Sequence, residues 1–274
     1  MKRTSYIIPY FMLFFLVTAT SAACRHNRNA RQQPSYNRAT EQESHHTVLP
    51  EAKRNDNAEQ TVLQRWEAGK TVTKESIEKY GITRCFTKNV INDSIYKRIY
   101  GLSFKRNCTV ALSSLRYLRL LHYTTDGNIV LGEMICHKDI ADDLIDIFHK
   151  LYDAHYPIER MLLIDNYDAD DIRSMEHNNT SCFNYRPVAG TRKLSNHSLG
   201  KAVDLNPLYN PYVKRRSDGT YKVSPAAGRK YVDRTKASPY KIDHNDLAYK
   251  LFKEHGFRWG GDYRTLKDYQ HFEK

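Results

Sequence analysis

Two apolar runs, Leu118 to Tyr123 and Ile129 to Ile135, flank Thr125-Asp126-Gly127-Asn128, and no other feature of the chain constrains its fold as strongly. An Asp-Gly turn between strand-forming runs predicts a β-hairpin and hence antiparallel pairing. Directly after it, Ile140, Leu144, Ile145, Phe148, Leu151 and Tyr152 recur at helical spacing, with Asp and Lys on the other face. That period marks a helix with one buried stripe, which Pro157 is expected to close. Met161 to Ile164 then read as a buried strand. Upstream, Val62 to Tyr80 is weakly patterned as a helix, with Gly81 to end it. Downstream, Ala202-Val203-Asp204-Leu205 reads as a short strand stopped by Pro207. Asp243 is the expected cap of a last helix carrying Leu247, Ala248, Leu251 and Phe252, with Gly256 at its C-terminal end. Phe257 to Trp259 would form a final strand. Helices and strands are mixed, and antiparallel signals outweigh βαβ ones, so the expected class is α+β.

The first residues read differently. Lys2 and Arg3 precede an apolar run from Tyr6 to Val17, and small residues lead to Ser21-Ala22-Ala23-Cys24. A charged start, a short apolar core and a small-residue cleavage site describe a secretory signal over residues 1–23. A membrane-spanning helix needs about 20 apolar residues, and this run is shorter and broken by Pro9. Cys24 directly after small residues resembles a bacterial lipobox, which implies acylation of Cys24 and a lipid anchor in the membrane. Residues 24–60 hold almost no apolar side chains and are expected to be a disordered tether. Residues 61–274 remain for one folded domain, with its metal-site core over about 115–274.

The net charge of +12 is scattered. No run of Lys and Arg interleaved with aromatics appears, so nucleic acid is not an expected partner. A basic surface that tolerates anionic envelope polymers accounts for the balance. Besides Cys24, the cysteines are Cys85, Cys108, Cys136 and Cys182. In an exported protein they form either two disulfides or buried free thiols, and none has the CxxC spacing of a structural zinc site.

Two segments carry the chemistry: Ser195-Asn196-His197-Ser198-Leu199-Gly200-Lys201-Ala202-Val203-Asp204, and Gly260-Gly261-Asp262-Tyr263 followed by Asp268-Tyr269-Gln270-His271-Phe272-Glu273. Catalytic zinc favours three nitrogen and oxygen ligands with a fourth position left open, and His197, Asp204 and His271 meet that count. A carboxylate three residues from a ligand, as Asp268 is from His271, can reach the reacting water. Of the twelve histidines, His137 and the pair His45-His46 are set aside as ordinary. Gly200, Gly260 and Gly261 are read as permitting tight backbone near the metal, and Trp259 and Phe272 as core. Glu273 either orients a ligand histidine or is a surface carboxylate.

The pattern SxHxxGxAxD, then GGD and a closing DxxHFE, resembles the zinc peptidases that act on D-alanyl-D-alanine and L-alanyl-D-glutamate bonds of bacterial cell walls. The resemblance covers about the last hundred residues closely, and the region from Leu115 more loosely. It implies a small central antiparallel sheet with flanking helices, as in the hedgehog signalling domain and its peptidase relatives. It implies zinc held by His197, Asp204 and His271, Asp268 as general base, and peptidoglycan or a muropeptide as substrate. Arg186 falls where the family carries an arginine for the scissile carbonyl or a substrate carboxylate, and Ser195 matches a serine lining the substrate site. Tyr263 stands where relatives often have Trp. The Asp at 268, rather than Glu, is nearer the endopeptidase and endolysin branch.

Two other functions compete with hydrolysis. A zinc-dependent binding module without turnover is one, and a structural envelope lipoprotein is the other. Asp268 and Arg186 together favour the enzyme. The sequon Asn196-His197-Ser198 disfavours a eukaryotic secreted origin, because a glycan there would sit on the metal site. The expected location is the exported bacterial cell envelope, through the lipid on Cys24.

Overall fold

The computed structural model describes residues 67–274. The leader over 1–23, Cys24, the tether over 24–60, His45-His46 and the start of the helix expected from Val62 lie outside the described residues.

Helix α1, Lys74–Tyr80, starts where Thr73 Oγ1 accepts the Ser76 N–H at 3.2 Å, and it ends at Gly81 with φ +86°. Among the described residues, the expected helix therefore begins at Lys74. Residues 69–72 run along the hairpin instead: Gly69 N–H donates to Leu131 O at 2.8 Å and Val72 N–H to Ile129 O at 2.9 Å. Sheet bonds have taken the donors that a helix would use.

Strand β1 (Thr87–Val90) and helix α2 (Asp93–Ile99) precede the predicted hairpin, β2 (Leu115–Tyr123) and β3 (Ile129–His137). Its register runs unbroken from Leu115 opposite His137 to Tyr123 opposite Ile129, and Gly127 takes φ +78° in the turn. Helix α3, Ala141–Asp153, buries Leu144, Ile147, Phe148 and Leu151. It ends before Pro157, with His155 at φ 52°. The strand expected at Met161–Ile164 is an extended, buried segment without a ladder of its own. Met161 O accepts the Glu133 N–H at 2.9 Å, and a 3-10 turn follows over Ile164–Tyr167.

Beyond it come helix α4 (Asp171–Glu176), strands β4 (Ala202–Asp204), β5 (Tyr212–Arg215) and β6 (Tyr221–Ser224), and helix α5 (Leu247–Glu254). Strands β7 (Arg258–Trp259), β8 (Lys267–Asp268) and β9 (His271–Glu273) complete the chain. The cap of α5 is Asp246, which accepts the Ala248 N–H at 3.2 Å, whereas Asp243 closes the turn before it by accepting from Asn245 N–H at 2.9 Å.

The class is α+β, but the sheet is not single. Three antiparallel three-stranded sheets form, ordered β1-β2-β3, β4-β9-β7 and β6-β5-β8. Prolines and turns keep the later strands too short to join one ladder, and buried asparagine amides connect the segments between them. Asn179 Oδ1 accepts from Leu162 N–H and Asn178 Oδ1 from Leu208 N–H, each at 2.8 Å, while Asn210 Oδ1 accepts from Ile242 N–H at 2.9 Å. Such groups tolerate burial because each finds a partner.

The main core joins the hairpin to the later strands through α3 and α5. Phe148 meets Phe252 edge-on at 6.3 Å, and Phe252 stacks on Phe272 of β9 at 4.2 Å. Trp259 and Phe272 are core residues, as expected. Cys85, Cys136 and Cys182 are buried free thiols, as one alternative had it, and Cys108 is a free thiol that is only half-buried. No helix among the described residues is long and apolar enough to cross a membrane.

Candidate metal centre

Strand alternation explains why the two segments meet. On β9, Phe272 points into the core, so His271 and Glu273 share the opposite face. Pairing of β9 with β4 sets Asp204 directly across from His271. Asp204 is fixed on its other side by Ser181, which exchanges backbone hydrogen bonds with it at 2.9 and 3.1 Å. His197 arrives from the 3-10 turn Asn196–Leu199, capped by Ser195 Oγ on the His197 N–H at 3.3 Å. Gly200 then turns the chain into β4 with φ +66°, and a Cβ there would lie 2.7 Å from His137 N. Glycine is required on both counts. His137 itself caps the turn after β3 by accepting the Asp139 N–H at 3.2 Å.

The three side chains converge. His197 Nε2 lies 3.2 Å from His271 Nδ1 and 3.3 Å from Asp204 Oδ2, and His271 Nδ1 lies 3.0 Å from Asp204 Oδ1. Ligands about 2.0–2.1 Å from one ion at tetrahedral angles stand about 3.3 Å apart. All three residues are buried, and they form a group of metal-ligand type. The outward ring nitrogens are occupied. His197 Nδ1 donates to Cys182 O at 2.6 Å, and His271 Nε2 faces Glu273 Oε2 at 3.3 Å. These contacts select the tautomers that turn Nε2 of His197 and Nδ1 of His271 inward.

Electrostatics point the same way. Burial pushes the Asp204 carboxyl up, but the His197 and His271 rings outweigh it and hold the group well below the usual range. Burial pushes His271 down, yet the Asp204 and Glu273 carboxylates lift it to about 10. The two carboxylates make this a place where positive charge is stabilised, and a bound divalent ion would take the place of a proton on His271. This donor set fits zinc.

Glu273 is buried and orients His271. Its hydrogen bond to that ring holds its pKa down at about 2. Arg258 also donates to it at 2.6 Å, and Asn196 Nδ2 donates from the ligand turn.

Asp268 lies in β8, across from Tyr212 of β5. Burial lifts its pKa to about 6, against the opposing pull of His271. Gln270 Nε2 donates to its Oδ1 at 3.2 Å. Gly260 packs against it so closely that a Cβ would lie 2.5 Å from Asp268 O and 3.2 Å from His271 Cβ.

Asp268, the three ligand-type residues, Ser195 and Arg186 line one cleft of about 500 Å³. The Arg186 Nε sits against the Asp171 carboxylate in an ion pair, and Asp171 also accepts from Asn184 Nδ2 at 2.9 Å. Sequence reasoning missed Asp171, which lies on α4, far from either motif. The one available signal was that a partly buried arginine needs a carboxylate. It also missed Gln270, Tyr212 and Lys222 on the cleft wall.

Searches of curated proteins and of solved structures give no match for the chain. Residues 189–274 match the family model described as D-alanyl-D-alanine carboxypeptidase. Arg186 and Asp171 fall before the matched stretch, whereas His197, Asp204, Asp268 and His271 all fall within it, so this part of the chain is similar to that family over the residues that form the candidate centre.

Proposed function

We propose that the protein is a zinc-dependent peptidase that hydrolyses a D-amino-acid-containing bond in the stem peptides of bacterial peptidoglycan. The observation that carries this reading is the convergence of His197, Asp204 and His271, with separations of 3.0–3.3 Å, beside a carboxylate in the same cleft.

His197 Nε2, His271 Nδ1 and an Asp204 oxygen would hold the zinc. When bound, zinc supplies Lewis acidity, which polarises the scissile carbonyl and lets water ionise near neutral pH. Asp268 takes the proton from the attacking water and delivers it to the departing nitrogen, so the C–N bond breaks with a neutral amine leaving. Arg186, steadied by Asp171, offers fixed charge to the developing oxyanion or to a substrate carboxylate. Ser195 holds the His197 turn in place and contributes to the cleft wall.

Asp268→Ala tests the assignment. Muropeptide cleavage should fall by about 10²–10⁴-fold, roughly 3–5 kcal/mol of barrier, while zinc content stays near one per chain. Cleavage at the wild-type rate would remove Asp268 from this role. Mass spectrometry of the products identifies the bond cut, and so separates carboxypeptidase from endopeptidase and dipeptidase action. Export with acylation of Cys24 belongs to the same proposal. A mature chain that begins elsewhere than Cys24, or that carries no lipid, contradicts it.

A further inference from the structure

The sheet that carries Asp268 also carries two exposed lysines directly opposite each other. In the β5–β6 hairpin, Tyr212 pairs with Ser224 and Lys214 pairs with Lys222, two residues further along. Tyr212 is in turn opposite Asp268 of β8. By strand alternation, one face of this sheet presents two rows. The first is Ser224, Tyr212 and Asp268, all on the cleft wall; the second contains Lys222 and Lys214, and Lys222 also lines the cleft. Val213 and Val223 turn to the other face, where Val213 is buried.

Like charges directly opposite on paired strands are destabilising. Neither lysine has an ion-pair partner among the described residues to relieve this. Lys193, on the loop closed by the Pro187–Leu194 bridge, lines the same cleft and is likewise without a carboxylate partner among them. Carboxylates elsewhere near the site are already engaged: Asp171 by Arg186, and Glu273 by Arg258 and His271.

We propose that Lys214 and Lys222 form an anion-binding subsite for a substrate carboxylate that lies outside the metal centre. This rests on the peptidase reading and names a specificity element within it. The two rows are separated by two residues of strand, about 7 Å. Asp268 also stands one strand from Lys214 and two from Lys222, about 8 and about 12 Å along the sheet face, so an extended peptide with its scissile bond at Asp268 brings to the lysines a side-chain carboxylate about two or three residues away. The preferred substrate is acidic at that place, and its amidated counterpart is disfavoured.

The test uses two peptides that span the cleaved bond and differ only in a carboxylate or a carboxamide at that residue. Their binding to zinc-loaded Asp268→Ala protein, in which turnover is slowed about 10²–10⁴-fold, is measured by calorimetry at low salt. The carboxylate peptide should bind about tenfold more tightly than the carboxamide, on the scale of two exposed charge contacts. Lys214→Gln with Lys222→Gln should abolish that preference, bringing the two affinities level. The same double change should leave the melting temperature level or raise it, since it removes a repulsive pair. Equal affinity for the two peptides, or a preference that survives the double change, overturns the subsite. Absence of cleavage by the wild-type protein, with the binding preference intact, would sink the peptidase reading and leave the subsite standing.

Discussion

The hairpin–helix region and the metal-centre region of this chain are built on opposite plans. Residues 115–153 contain two nine-residue strands in continuous register and a thirteen-residue helix, with an almost wholly apolar interface. In the second region, the strands nearest the ligands, β4, β7, β8 and β9, have two or three residues each. There, caps, glycines and buried amides place the chain, and nearly every position has a specific partner. Many interchangeable contacts support the first region, and a few individual ones support the second. A mutation in one should register as lost stability, and in the other as lost chemistry.

Phe148→Ala should produce the largest effect on stability and so tests that division most severely. The ring is fully buried between the hairpin and Phe252. Its loss leaves a cavity worth about 3–5 kcal/mol, read as a shift in the denaturant midpoint. The molecules that remain folded should bind zinc as before. If zinc affinity collapses while stability barely changes, the two regions are not separable.

Glu273→Gln approaches the comparison from the other side. The amide keeps the size of the side chain but no longer holds His271 through a charged acceptor. Partners of this kind typically contribute about 10–100-fold in metal affinity, and chelator competition should show a drop in that range. The fold should survive, because Phe272 and the β9 ladder are untouched. Unchanged zinc affinity would mean that the β9 backbone alone aims the ring.

The same division explains what can be read from the sequence. The hairpin and α3 are legible because each follows a period, and an apolar period survives without knowledge of the partner. His197, Asp204, Asp268 and His271 are legible as a motif, since the proposed chemistry would need those residue types close together. Pairings between distant segments leave no such trace. Nothing in the spacing connects Asp171 to Arg186, and Lys214 faces Lys222 only once the register of β5 and β6 is known. Glu273 stands between two readings until strand alternation puts it on the face of His271. Met161–Ile164 misleads because a short apolar run looks the same in a strand and in an extended buried segment. Among the described residues, the helix expected over Val62 to Tyr80 is confined to Lys74–Tyr80 because the hairpin edge claims the backbone of residues 69–72.

The smallest expected effect lies where the regions join, at Asp246. This carboxylate caps α5 and accepts a hydrogen bond from the Tyr156 hydroxyl at 3.0 Å, and burial lifts its pKa to about 6 despite those donors. The folded value lies above the unfolded one, about 3.9. The native state thus holds the proton more tightly, and the linked stability is fully present below the unfolded pKa and lost as pH rises through about 6. The substitution Asp246→Asn probes this directly, because the amide retains an oxygen to cap the helix and cannot ionise. The variant should therefore be more stable than wild type at pH 8, and the gap should narrow as pH falls below about 6 and close towards about 4. Melting temperatures of the two proteins across that range check the sign. A gap that does not vary with pH would mean that the hydrogen bonds to Asp246 offset its burial in full, and that the junction is governed by the same polar matching as the metal centre rather than by the apolar core beside it.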